Sequence, residues 1–216
     1  MSVGRRNLCL WVVLLLPLGL LHPLVLQAQD SDAVHFRWAL EALVSEGSVT
    51  KQMPVREDTT LKTGDLLKLY LELRKPCFVY LIHHGAQGEL HWLFPYDIQQ
   101  FGTDYHTAKV YEIPQHDAWF RINEQAGRET FYLFASAQRL TDLEKLLSAY
   151  AAATPEAQPQ VATHILRDLR TLIKERRAAV PPGRPVPIAG NLRKGIEALE
   201  ISVPDFYSKT VTIEHR

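Results

Sequence analysis

Two histidines and a glutamate that could bind a metal, His84, Glu89 and His91, flank a short glycine-containing turn. If Gly85 faces Gly88 across this turn, the flanking strands form a hairpin in which all three side chains project from one face. Two imidazoles and a carboxylate can hold zinc and leave a position open for water, so one alternative is a metal-dependent hydrolase. The simpler interpretation is a solvated hairpin tip, because no H-E-x-x-H motif supports a metal site. We therefore assign no metal and no cofactor.

Other residue types that could act as nucleophiles stand in unsuitable positions. Cys77 begins an apolar run that predicts a strand, where a lone cysteine is typically a buried small hydrophobic residue. His83 lies further along the same strand, about 20 Å away at roughly 3.3 Å per residue, so the two cannot form a dyad. The sequence has no G-x-S-x-G motif and no glycine-rich phosphate loop. We name no catalytic residue, so the sequence favours a protein that is not an enzyme over the metal-dependent hydrolase without deciding between them.

Aromatic residues gather in a polar segment rich in turns after the hairpin. Tyr96, Phe101 and Tyr105 are candidate binding residues, because loops on a rigid scaffold commonly carry contacts to a protein, peptide or glycan. The alternative is that these rings cap the end of the core.

A cluster of basic residues is a further candidate contact surface, for lipid head groups or an acidic partner. A solvated face on a packed amphipathic helix is the simpler interpretation. The cluster comprises Arg167, Arg170, Lys174, Arg176 and Arg177.

Residues 1–28 have the pattern of a secretory signal peptide. Two arginines precede an apolar stretch over residues 8–26, and the small-residue pattern predicts cleavage after Ala28. We expect an exported protein, periplasmic or secreted, with no membrane span in the mature chain. The alternative is a retained anchor, since a stretch of about 19 apolar residues can just span a bilayer.

The composition of the 216-residue chain is that of a folded globular protein, with 46% hydrophobic and 22% charged residues. Basic and acidic residues each number 24, so the charge gives no indication of nucleic-acid binding. Two cysteines are too few for a disulfide-rich miniature fold or a four-cysteine zinc site. The residues that remain after cleavage, 29–216, fit a single domain.

Alternating apolar residues predict a body of short antiparallel strands. The four leucines of 67–73 alternate with polar residues and so share one face. In the hairpin, the register assumed above predicts that Leu90 and Trp92 face the core together with Val79. Further strands are predicted over residues 34–44, 77–84, 89–94, 108–113, 118–123, 129–137, 199–203 and 211–213.

The hydrophobic period changes to that of a helix after residue 140. Thr141 and Glu144 fit a capping box that would start a first helix, and a second amphipathic helix ends before the proline-rich segment 181–185. These features predict a helical insertion at about 141–178. The fold class is therefore mainly β, an antiparallel β-sandwich with a two-helix excursion, α+β overall.

Several short motifs occur in order along the strand-rich part of the chain. They are a strand entry at Gly64-Asp65, a Tyr-Leu pair at 80–81, a Leu-Phe-Pro sequence at 93–95, and a G-x-E … S strand from Gly127 to Ser136. Their order and spacing resemble the domain-of-unknown-function 4384 family over about residues 50–140. The resemblance implies an Ig-like β-sandwich of an exported bacterial protein, and it brings no catalytic residues.

These features predict an exported, non-enzymatic protein of a bacterial cell envelope that acts as a binding or interaction module. The ligand is unknown, and the expected partner is another envelope protein. The loop over 96–106, or strand addition at a sheet edge, would provide the contact. The alternative is the metal-dependent hydrolase described above.

Overall fold

The computed structural model describes residues 34–47, 49–56, 59–124, 126–176, 183–187 and 197–215. The predicted signal peptide, its cleavage site after Ala28, and Arg177 lie outside the described residues. Within the described part, two sheets pack face to face, and two helices cover the outer side of one sheet. The predicted β-sandwich with a two-helix excursion is confirmed.

The described elements follow one another along the chain as strands with three helices among them. The order is β1 (Val34–Glu46), β2 (Val49–Pro54), β3 (Thr60–Leu61), β4 (Leu66–Leu73), β5 (Phe78–His84), β6 (Leu90–Phe94), α1 (Gln100–Thr103), β7 (Val110–Ile113), β8 (Phe120–Arg121), β9 (Gly127–Ser136), α2 (Thr141–Ala152), α3 (Gln158–Glu175), β10 (Arg184–Pro187), β11 (Glu197–Val203) and β12 (Phe206–His215).

The strands form one sheet of seven and one of five. In the first sheet the order is β10-β11-β1-β4-β7, with β2 beside β1 and β8 beside β4. In the second sheet the order is β3-β12-β9-β5-β6, and the short β3 pairs with β12 in parallel while the other pairs are antiparallel. The predicted strands are present with shifted ends. The short strands β2, β3 and β10 were not predicted, because their sequences show no clear alternation.

The first core lies between the two sheets. The four alternating leucines of β4 are all at most 3% exposed and belong to this core, which confirms their predicted shared face. The opposite face of β4 is also buried, and there Lys68 donates a hydrogen bond to Glu112 over 2.7 Å. The buried charge of Lys68 is therefore paired with an opposite charge.

The second core lies between the five-stranded sheet and the helices. Burial of Leu143, Leu147, Ile165 and Leu169 confirms the predicted apolar helix faces. None of the described helices is long and apolar enough to cross a membrane. The sheet side of this core is formed by Tyr80, Ile82, Leu90, Tyr132, Phe134 and Phe206.

The predicted capping box at the start of α2 is wrong. Thr141 is already the first helical residue, and no side chain caps the helix. Glu144 instead turns into the second core, where it accepts hydrogen bonds from the Tyr80 hydroxyl over 2.7 Å and from Arg139 over 2.6 Å. The Tyr80 oxygen also accepts the backbone amide of Leu140 over 2.9 Å. The carboxylate thus anchors the helix to the sheet.

The predicted register of the hairpin is wrong by one residue. The amide of Gly85 donates to the carbonyl of Glu89 over 2.9 Å, so the loop contains three residues and Gly88 adopts a positive φ of 88°. His84 therefore pairs with Leu90 and His83 with His91. As a result Leu90 faces the helices, not the space between the sheets.

Candidate functional site

A cleft of about 330 Å³ opens where the edges of the two sheets approach each other. Strand β6 of the five-stranded sheet forms one side and β8 of the other sheet the opposite side. Its walls combine apolar side chains with several polar groups, as in many ligand pockets. The lining residues are Leu67, His83, Glu89, His91, Leu93, Phe120, Arg121, Ile122, Asn123, Glu129 and Phe131.

Four polar side chains form a row across the inner face of the five-stranded sheet, which we call the imidazole row: His91 on β6, His83 on β5, Glu129 on β9 and His215 on β12. His83 lies opposite His91 on one neighbouring strand and opposite Phe131 on the other. Phe131 belongs to the core between the sheets, so His83 and His91 also lie on the inner face of their sheet. The His83 Nε2 atom lies 2.6 Å from Glu129 Oε2, and His215 Nε2 lies 3.5 Å from Glu129 Oε1. One buried carboxylate therefore stands between two imidazoles.

The surroundings of Glu129 keep its carboxylate charged. Burial by itself raises the pKa of Glu129, but the hydrogen bond with His83 and the charges of His83 and His215 outweigh it. The net result is a pKa below the ordinary value for a glutamate. Burial lowers the pKa of His91, and proximity to His83 lowers it further. Glu129 thus contributes an ionised carboxylate to the inner part of the cleft at neutral pH, and the lowered pKa of His91 favours its neutral form nearer the solvent.

Glu89 lies at the mouth of the cleft, where the hairpin turns. Its Oε2 atom accepts the backbone amide of Gln87 over 3.1 Å. The carboxylate lies directly over Gly85, where an added Cβ atom would be only 1.9 Å from Oε1. The position of this carboxylate therefore depends on the absence of a side chain at residue 85.

The candidate metal ligands His84, Glu89 and His91 do not share a face. The observed register places His91 in the cleft, whereas His84 lies on the opposite side of the sheet, near Tyr150 and Ala162 of the helices. Glu89, at the turn, borders both the cleft and the hollow beside His84. Among the described residues, no group of three or more His, Cys, Asp or Glu side chains is arranged to hold a metal ion.

The candidate binding aromatics make contacts within the protein. The Tyr105 hydroxyl accepts the amide of Val79 over 2.8 Å, and the rings of Phe101 and Tyr105 pack edge to face with centroids 4.8 Å apart. Tyr96 is 37% exposed, and its hydroxyl donates to the carbonyl of Glu112. Most of this aromatic surface therefore supports the end of the sandwich.

Cys77 is 2% exposed and belongs to the first core, as predicted. Burial raises the pKa of its thiol to about 12, so the thiolate form is suppressed. In the basic cluster, the four described members are exposed, three on α3 and one directly after it. One of them, Arg176, lies 3.8 Å from Asp205.

Edge strands β6, β7, β3 and β10 have features that oppose strand addition. The amide of Leu90 on edge strand β6 donates to the Tyr150 hydroxyl over 3.1 Å, and the Trp92 indole donates to the carbonyl of Phe94 over 2.9 Å. On β7, the Tyr96 hydroxyl donates a hydrogen bond to the carbonyl of Glu112. Strand β3 has only two residues, and β10 contains two prolines, which lack an amide donor. The geometry favours the cleft over strand addition as a contact site.

The family comparison coincides with the part of the chain that builds the cleft. Residues 60–139 match the family model described as Domain of unknown function (DUF4384). This segment matches DUF4384. The match confirms the predicted resemblance, with a later start than the predicted residue 50. No curated protein and no solved structure matches the chain.

Every residue that lines the cleft lies within the DUF4384 segment, whereas α2, α3 and His215 lie outside it. The sequence contained one signal for the buried carboxylate that the prediction did not use. Glu129 precedes Phe131 and Leu133 at alternate positions of one strand, so a charged residue occupies a core-facing position. Such a residue indicates a paired or functional group.

Proposed function

We propose that the protein is an exported, non-catalytic binding module of a bacterial cell envelope that holds part of a protein partner in the cleft. The observation that carries this proposal is the cleft itself, which joins partly exposed apolar walls at Leu93 and Phe120 to the polar groups at Glu89 and His91. Its volume suits one or two large side chains. Because β6, the edge strand beside the cleft, is protected against strand addition, side-chain capture is the better route to a partner there.

The residues of the cleft support binding rather than covalent catalysis. No serine, threonine or cysteine is among the described residues that line it. Its histidine–carboxylate pair, His83 and Glu129, has no hydroxyl or thiol nucleophile within the cleft to activate. Export is supported by the signal-peptide pattern of residues 1–28, and the bacterial envelope is supported by the family resemblance.

The test is to fill the cleft and measure recovery of the partner. Leu93→Trp on the wall and Asn123→Trp at the rim each place an indole in the cleft, and Thr171→Trp on the outer side of α3 is the matched control. Tagged proteins are crosslinked in the native envelope, purified and analysed by mass spectrometry, after thermal melting has shown that each variant folds.

We expect one partner to be recovered at near-equal amount with the wild type and the control, and at about a tenth of that amount or less with the two cleft variants. Equal recovery with all four proteins would refute the cleft as the contact site. The intact mass of the purified protein tests export independently, because cleavage after Ala28 removes residues 1–28.

A further inference from the structure

Glu89 has hydrogen-bonding capacity that the described residues leave unused. A carboxylate offers about four acceptor positions, and here Glu89 accepts a hydrogen bond from the amide of Gln87. No described Lys or Arg forms an ion pair with it, whereas Glu129, deeper in the cleft, is bound by His83. Glu89 is half-buried, so a charge placed against it would be partly shielded from solvent.

The charges around the cleft favour a cation over an anion. Glu89 and Glu129 both line it, and burial keeps His91 mainly neutral at pH 7 by lowering its pKa. The opposing cation, Arg121, is exposed at the rim, and its guanidinium donates to the carbonyl of Gly64 over 3.3 Å. An anion would meet two carboxylates beyond this single arginine.

The walls of the cleft suit a flat cation on an apolar stem. The His83 ring stacks on Phe131 with centroids 4.7 Å apart and on His91 with centroids 5.7 Å apart, which forms a continuous aromatic surface. Leu93 and Phe120 line the approach. An arginine side chain combines an aliphatic stem with a planar guanidinium that stacks on rings and binds carboxylates through two hydrogen bonds.

We propose that the cleft receives an arginine side chain of the partner, with its guanidinium on the Glu89 carboxylate and its stem along Leu93 and Phe120. This inference rests on the proposed function and names the group that the cleft recognises. Glu129 supports the site from behind as a fixed negative charge. Lysine fits less well, because a compact ammonium gains less from a flat ring surface and one carboxylate.

Gly85 provides a test of geometry that leaves every charge in place. Its φ angle is not in the left-handed region, so an alanine there causes no backbone strain, but its Cβ atom would displace the Glu89 carboxylate. Gly102 is the matched control, because a Cβ atom added there meets nothing within 4 Å. Gly85→Ala therefore moves the proposed acceptor, and Gly102→Ala changes nothing near it.

The experiment measures binding of three blocked tripeptides, Gly-X-Gly with X as arginine, lysine or citrulline, to the ¹⁵N-labelled mature protein by NMR titration. Citrulline has the shape of arginine without its charge. We expect arginine to shift the amide signals of the cleft residues and to bind about tenfold more tightly than citrulline. The affinity of the lysine tripeptide should lie between those of the arginine and citrulline tripeptides. Glu89→Gln and Gly85→Ala should each weaken arginine binding about tenfold, while Gly102→Ala leaves it unchanged.

The Arg121→Gln variant distinguishes a cleft that binds a cation from one that binds an anion. Removal of the opposing charge should leave arginine binding equal or tighter. Equal binding of arginine and citrulline, or arginine binding unaffected by Glu89→Gln, would overturn this inference. The proposed function would still stand if filling the cleft abolished recovery of the partner, so the two failures are distinguishable.

Discussion

Glu41 illustrates how strongly single charged residues are constrained in this fold. It lies on the outer face of the seven-stranded sheet, 3% exposed, directly opposite Lys68 on β4. Burial raises the pKa of Glu41 to about 7, the Gln52 side chain lowers it by hydrogen bonding, and the nearby Glu197 raises it. Because the pKa of Glu41 is higher in the folded than in the unfolded state, protonation of Glu41 stabilises the folded protein.

We predict that this glutamate makes stability depend on pH. Its contribution is fully present below the unfolded pKa of about 4.5 and is lost as the pH rises through about 7. Glu41→Gln should remove this component, so the variant should gain about 3 kcal/mol relative to wild type between pH 5 and pH 8. Urea unfolding across this range measures it.

The matched control for this prediction is Glu124→Gln, because Glu124 is exposed. Its curve of unfolding free energy against pH should run parallel to that of wild type. A Glu41→Gln curve that is also parallel would show that Glu41 is ionised throughout. Subtracting the wild-type curve from the Glu41→Gln curve removes the contributions of His84 and His91, which both proteins share. The lowered pKa values of these histidines make stability rise with pH, opposite to the effect of Glu41.

At the scale of elements, α2 is attached to the sheet by a buried polar contact. Tyr80 is fully buried, and its hydroxyl serves both Glu144 and the amide of Leu140. We predict that Tyr80→Phe lowers the free energy of unfolding by about 1–3 kcal/mol, because a buried amide and part of a carboxylate lose their partner. Denaturant unfolding measures this loss, and hydrogen exchange should show faster opening of the α2 amides.

Lys145→Ala is the control for this prediction, since Lys145 lies on the exposed side of the same helix. It should change the free energy of unfolding by no more than about 0.5 kcal/mol. A Tyr80→Phe variant that is as stable as this control would contradict the anchoring role of the contact.

The sequence predicted the strands and helices where a periodic pattern of apolar residues was strong. It did not predict the register of the β5–β6 hairpin. Alternating leucines identified β4 and its buried face. The glycines at 85 and 88 identified a turn but left open whether it held two or three loop residues. The difference of one residue decided whether His84 or His83 faces the cleft.

At the scale of the whole molecule, the five-stranded sheet is buried on both faces, by the other sheet and by the helices. The sequence predicted helices but not their position, because one chain does not show which sheet they cover. The apolar run around Tyr80 and Ile82 was the available signal, since a strand that is apolar on both sides is typically covered on both sides. The cleft could not be predicted, because it joins residues of five strands.

The most direct test of the central claim is photo-crosslinking from inside the cleft in living cells. A benzoylphenylalanine replaces Phe120 on the cleft wall, and a second chain carries it in place of Thr171 on the outer side of α3. We predict one defined protein adduct from position 120, reduced in a Glu89→Gln background, and no such adduct from position 171. The absence of an adduct at 120, or the same adduct from both positions, would contradict binding in the cleft.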